Sequence, residues 1–192
     1  MATIRRVSLP VVPSEPAAPE GVTEYLVDAE IYRRVIQDEV PKARRLLWIG
    51  TADLKDLHVP RGRRAIPFLQ VISELIDAGV SVRLLHAKKP GPIFMRDYAR
   101  FPNLKRAMEQ MLCPRVHFKL VVVDERFAYS GSANLTGAGL GAKSDHKRNF
   151  EGGIVTTDRA LVRRIMRQFD EVWMGKHCRG CQRSEFCDGR VA

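Results

Sequence analysis

Apolar positions along this chain switch repeatedly between helical spacing and the short dense runs of buried strands. Ile31, Val35, Ile36 and Val40 recur at three- to four-residue intervals and predict a helix over 29–40, with Asp28 placed to cap it. Residues 46–50 read as a buried strand ending in a turn. Pro67 suits the first turn of a helix whose Phe68, Val71, Ile72, Leu75 and Ile76 share one face, and Gly79 stops it. A strand follows over 80–86, then a shorter helix over 104–111. The β-branched run 116–123 predicts another buried strand, and 126–130 its return partner in a hairpin. Residues 154–156 form a last strand, after which Asp158 caps a helix that turns Leu161, Val162, Ile165, Phe169, Val172 and Trp173 inward. Strands alternating with helices predict an α/β fold: a mixed sheet with helices on both faces, in a single domain.

The hairpin carries the chemistry. His117 and Lys119 are two apart, so on a strand both side chains leave the same face. An imidazole beside an ammonium pairs a nucleophile or base with an anion holder. The loop after the return strand reads Gly131-Ser132-Ala133-Asn134. A glycine there permits close backbone approach to a ligand, while the Ser132 hydroxyl and Asn134 amide can donate to phosphate oxygens. Together these groups suit a phosphodiester.

The full spacing is His117-x-Lys119-x4-Asp124-x6-Gly131-Ser132-x-Asn134, and it resembles the HKD signature of the phospholipase D superfamily at every fixed position. The resemblance covers about residues 23–175 and implies that family's mixed-sheet fold. It also implies a metal-independent reaction needing no catalytic cofactor, in which two HKD elements face each other. One histidine attacks phosphorus to form a phosphohistidine and the other protonates the leaving oxygen. Only one such element occurs in this sequence, so the resemblance further implies a homodimer that completes the site. Carried over, His117 is nucleophile in one protomer and general acid in the other. Lys119, Ser132 and Asn134 hold phosphate, and Asp124 supports the site. Downstream, Asn149-Phe150-Glu151 resembles the family's Asn-x-Glu, which implies that Glu151 accepts a hydrogen bond from the His117 ring and fixes its tautomer. His58 and His86 lack a following lysine and aspartate at this spacing, and read as structural.

Charge narrows the partner. Thirty-two Lys+Arg against 22 Asp+Glu give a net charge of +10, which favours a polyanion. Basic residues gather at 61–64, 88–89, 143–148 and 163–164, and the 143–148 group follows the phosphate loop directly. The expected partner is nucleic acid, DNA or RNA, and the expected activity a nuclease. The alternatives are a phospholipase or phosphatidyl transferase, and a non-catalytic nucleic-acid-binding module bearing a metal. Residues 1–19 carry Arg5 and Arg6 but no apolar core of a secretory signal, and their Pro/Ala/Val composition suits a flexible leader over 1–22. No apolar run approaches the roughly 20 residues of a membrane span. A soluble cytoplasmic protein is the expectation.

Four cysteines remain. Cys178, Cys181 and Cys187 stand as C-x2-C-x5-C in a polar tail over 176–192, and Cys113 precedes the HKD strand. The pattern resembles the iron–sulfur staple of certain recombination and CRISPR-adaptation nucleases, which have a different nuclease fold. Clustered thiols in a cytoplasmic chain point to a structural metal, either a [4Fe–4S] cluster or tetrahedral zinc, with His177 as an alternative fourth zinc ligand; free or redox-active thiols are the competing reading.

Overall fold

A computed structural model describes residues 21–55 and 57–187. Its strands are β1 (Thr23–Val27), β2 (Leu46–Thr51), β3 (His58–Arg61), β4 (Arg64–Pro67) and β5 (Ser81–His86). β6 (Met108–Leu112), β7 (Lys119–Val123), β8 (Phe127–Gly131) and β9 (Gly152–Thr156) follow. The helices are α1 (Ala29–Ile31), α2 (Phe68–Asp77), α3 (Pro92–Ala99), α4 (Pro102–Ala107) and α5 (Arg159–Trp173). Seven strands form one mixed sheet in the order β1-β9-β8-β7-β2-β5-β6, with β2, β5 and β6 parallel and the remaining pairs antiparallel; β3 and β4 make a separate hairpin.

Every residue of β7 is buried, because the strand lies mid-sheet with apolar layers on both sides. Val121 and Val123 join one core with Ile31, Val35, Ile36 and the α2 residues Phe68, Val71 and Ile72. Leu120 and Val122 join the opposite core under α5, with Val162, Ile165, Phe169 and Trp173. Alternation along one strand thus feeds both layers. The expected α/β sheet with helices on both faces is the fold.

Several elements match in place but not in detail. Ile31, Val35, Ile36 and Val40 are all buried as expected, yet α1 continues as a π-helix over Tyr32–Glu39 and a 3-10 turn over Val40–Lys42. Asp28 does not cap it. It lies at φ +47°, and its carboxylate accepts the Glu151 N–H at 2.8 Å, because β1 ends beside the start of β9. Pro67 precedes α2 instead of entering its first turn. Asp158 does cap α5, accepting from the Leu161 N–H at 2.7 Å.

The helix expected over 104–111 stops at Ala107, and β6 takes the rest. Leu104, Met108 and Met111 sit at helical spacing, but Met108–Leu112 pairs with the open edge of β5. That ladder satisfies the backbone while Met111 and Leu112 are buried, so tertiary pairing outweighs local preference. The strand expected over 116–123 begins at Lys119, leaving His117 just before it. β1, the β3–β4 hairpin and α3 had no strong periodic signal; in β1 only Leu26 is buried. Of the expected leader, residues 1–20 lie outside the described residues, and the Val22 N–H already donates to Thr157 Oγ1 at 3.0 Å.

Glu39 is buried and accepts from Arg34 (2.6 Å), Lys42 (3.0 Å) and Arg126 (2.8 Å), tying the π-helix to the β7–β8 turn. Burial alone would raise its pKa, but hydrogen bonds from Arg126, Lys42 and Arg34 outweigh that and bring it from 4.5 down to about 2. A folded pKa below the unfolded one adds stability above pH about 4.5 that drains as the pH falls towards about 2. Urea unfolding of wild type and Glu39→Gln should therefore show a wide stability gap at neutral pH that narrows steadily below pH about 4.5. A gap independent of pH would contradict this role.

Candidate active site

Antiparallel pairing brings one end of five neighbouring strands together. β2 ends there at Thr51, β7 begins at Lys119, β8 ends at Gly131, β9 begins at Gly152 and β1 ends at Val27. His117, Lys119, Ser132, Asn134 and Glu151 all sit on or next to these termini.

His117 is exposed, while Lys119 beside it retains only 6% of its surface. Lys119 Nζ donates to the His117 carbonyl at 2.7 Å and stands 3.4 Å from Nδ1 of the ring. Its stem is packed into the sheet end and its charge lies beside the imidazole. Burial lowers the Lys119 pKa, and the nearby Glu151 carboxylate opposes that shift. The ammonium thus waits in a partly dehydrated position where an anion would be well held.

Asn134 is pinned in one orientation. Its side-chain oxygen accepts the N–H groups of Ala52 (3.2 Å) and Asp53 (3.1 Å), so its NH₂ is the end free to donate, with no acceptor among the described residues. Thr51, which gave no sequence signal, anchors the same loop: its hydroxyl accepts from the Leu135 N–H at 3.0 Å and donates to the Asp53 carbonyl at 2.8 Å.

Two expectations need correction. The Glu151 carboxylate does not bond the His117 ring; it accepts from the Ser132 hydroxyl and from Asn149 Nδ2 (3.0 Å). β8–β9 pairing sets Gly131 against Gly153, which brings Ser132 to Glu151 first. In this structure the Ser132 proton goes to Glu151 and its oxygen accepts from the Gly152 N–H at 3.1 Å, so the hydroxyl expected to face phosphate here braces the loop. Gly131 serves strand packing: a Cβ there would stand 2.4 Å from the Tyr129 hydroxyl and 2.6 Å from the Gly152 carbonyl. Tyr129, another residue without a sequence signal, lies buried under this corner; burial raises its phenol pKa to about 12, so it acts as a neutral acceptor for the Ala133 N–H at 3.3 Å.

Asp124 is not at this end. It closes the far end of β7, at φ +52°, about 17 Å away for five residues of strand. Its carboxylate accepts the backbone N–H groups of Arg44 (2.9 Å), Arg45 (2.8 Å) and Leu46 (3.0 Å), and these bonds hold its pKa down against the opposing effect of burial. It stitches β7 to β2 and supports the site only through the fold. His86 is buried, with Nδ1 2.8 Å from the Lys88 carbonyl, and is structural. The four cysteines gather at a separate cavity beyond β6 and α5.

A family model described as cardiolipin synthase, PLD-like domain, matches residues 36–173, well over half of the chain. The chain belongs to the phospholipase D superfamily. No curated protein sequence gives a match. Among solved structures, the fold is similar to a phospholipase D family member, Nuc from Salmonella typhimurium, at 15% identity and TM-score 0.58, over 80% of this chain and 95% of that one. NucT from Helicobacter pylori is similar at 13% identity and TM-score 0.58, over 79% and 95%. TrmBL2, an archaeal chromatin protein, is similar at 15% identity and TM-score 0.55, over 85% and 55%. The phospholipase D-like fold explains why the site lies at a sheet end: only there do loops from β2, β8 and β9 reach the residues that start β7. Among the described residues no helix is long and apolar enough to cross a membrane.

Proposed function

We propose that the chain is a metal-independent phosphodiesterase that cleaves nucleic acid, with the active site completed by a second copy of itself. The observation carrying this reading is the pairing of an exposed His117 with a buried Lys119, at the same sheet end as an Asn134 whose NH₂ is free to donate. His117 attacks phosphorus, and the leaving oxygen takes a proton from the second copy's His117. Water then attacks the phosphohistidine and returns the site to its starting state. Lys119 and Asn134 of both copies neutralise the phosphoryl oxygens, the charge role that a metal fills elsewhere. Glu151 and Ser132 brace the loop, and the Glu151 charge opposes the lowering of the Lys119 pKa by burial.

Dimerisation is supported by exposed apolar surface beside the site. Phe150 is 95% exposed next to Glu151, and Val22, Tyr25 and Val27 are exposed on or next to β1, the sheet edge nearest the site. Such a patch on a small chain suits an isologous contact.

Nucleic acid as substrate is supported by the net charge of +10 and by Lys143 and Lys147, both exposed in the loop that joins Asn134 to Glu151. That loop folds back on itself through Lys143 N–H to Gly137 O (3.1 Å) and Asn149 N–H to Ala138 O (3.1 Å), which keeps its charges near the site. TrmBL2, similar in fold, is a DNA-binding protein, which adds support. The matching family model is named for a lipid enzyme, so phosphatidyl transfer is the reading to test alongside.

The test is cleavage of labelled single- and double-stranded DNA and RNA in EDTA, with phospholipid vesicles in parallel. Turnover of nucleic acid is the expected result, and turnover of lipid alone would replace this reading. Affinity should fall steeply with salt through counterion release, and Lys143→Glu with Lys147→Glu should weaken binding to all sequences alike. A flat salt dependence would count against nucleic acid.

A further inference from the structure

The tail after α5 has an unusual burial pattern. From Met174 to Phe186 no apolar side chain is buried: Met174 and Phe186 are both exposed. Over 174–187 the residues not fully exposed are Gly175 and the three cysteines, Cys178, Cys181 and Cys187. A segment that turns only its thiols inward has no hydrophobic reason to lie where it does. All three line one cavity of about 380 Å³, and Cys113, from the end of β6, lines its opposite wall. Three clustered thiols and a fourth distant in sequence therefore share one cavity, and none of them is in a disulfide.

Local backbone prepares the thiols. Gly180 at φ +72° closes a turn in which the Cys181 N–H donates to the Cys178 carbonyl at 3.0 Å, a tight loop that presents both sulfurs to the same cavity. The Cys187 N–H donates to Ser184 O at 3.0 Å in a second such turn. Arg115 holds the tail against the body, donating to the His177 carbonyl at 3.2 Å and to Cys181 Sγ at 3.8 Å.

We propose that Cys113, Cys178, Cys181 and Cys187 form a four-thiolate metal centre. Its occupant is a soft-ligand metal, an iron–sulfur cluster or zinc, since four sulfurs in a partly apolar wall do not suit a hard cation that needs oxygen. Among the described residues no three ligand groups already converge on a point, so the thiols ring the cavity and loading draws the tail inward. Among the described residues the tail is tied to the body by polar contacts, from Arg115 to His177 and Cys181 and from Lys176 and His177 to Glu171. The wall opposite the tail includes Cys113, Val116 and Phe118, the residues that lead into and interleave with His117 and Lys119. Phe118 also packs where a Cβ on Gly50 would stand, 2.5 Å away, so the wall reaches the middle of the sheet. Metal at this site clamps the tail to the segment that carries the imidazole.

The test is elemental and sulfide analysis of the full chain purified without oxygen, with thiol titration before and after chelation. About one centre per chain is expected. Iron with acid-labile sulfide and a visible band bleached by dithionite identifies a cluster. Stoichiometric zinc in a colourless protein identifies a zinc site; either supports the centre. The loaded wild type should resist thiol reagents at all four cysteines and lose that protection on metal removal. Cys178→Ser with Cys181→Ser should lose the metal, and limited proteolysis should then cut within 174–187 first. Metal-free wild-type protein with four thiols reacting at once would overturn the proposal, as would stoichiometric metal surviving the double substitution. Because the wild-type titration needs no variant, poor folding of the substituted chain leaves the proposal open to refutation. The measurement is also independent of hydrolase activity, so it stands or falls apart from the proposed function.

Discussion

Replacing His117 by alanine is expected to lower phosphodiester hydrolysis by at least about a thousandfold without unfolding the protein. The side chain is exposed, and among the described residues its ring's one hydrogen-bond partner is Lys119, so truncation leaves no cavity and no orphaned buried group. In a twofold assembly the same substitution removes both the nucleophile and the general acid, which is why the expected loss is so large. Hydrolysis of bis-p-nitrophenyl phosphate and of labelled DNA, with a thermal melt of each protein, measures it. A melting temperature near wild type with activity gone supports the assignment. Robust turnover by the variant would sink it.

Placing a charge in the apolar patch should be almost as damaging. Phe150→Asp places a carboxylate in the proposed self-contact, where the Asp of each copy would be buried against the other or beside the site. The protein is expected to become monomeric and to lose most of its activity, because each chain then holds a single imidazole facing solvent. At 95% exposure, Phe150 makes little packing contribution within its own chain, so the monomer should fold. Sedimentation and activity across a dilution series measure it: wild-type activity per chain should fall as dimers dissociate, and the variant should already be at that lower limit. A fully active monomer would refute the completed-site reading.

The residues that name the chemistry are legible in the sequence because they are packed into one short stretch. Lys119 lies on a hairpin and His117, Ser132 and Asn134 lie just beyond its open ends, and a hairpin is a local structure whose register follows from apolar alternation and turn residues. The same holds for α2 and for α5 with its Asp158 cap, where one helical face and one carboxylate suffice. The cysteine spacing was equally plain, and the structure adds that Cys113 faces the same cavity as the tail.

What needed the tertiary structure was partner choice. Asp124 belongs to the same spacing pattern as His117, yet a strand carries the two to opposite ends of the sheet, where Asp124 meets the N–H groups of Arg44, Arg45 and Leu46. Glu151 meets Ser132 because β8 and β9 are neighbours, and Asp28 meets the Glu151 N–H because β1 is the next strand out. Met108–Leu112 became a strand because β5 offered an unpaired edge. Sequence by itself determined the strongly patterned local elements, the charge and the chemical inventory, since those depend on residues within a few positions of each other. Sheet order, and with it which carboxylate meets which donor, rests on contacts between residues distant in sequence, 123 positions for Asp28 and Glu151 and 135 for Val22 and Thr157, and no local pattern encodes those.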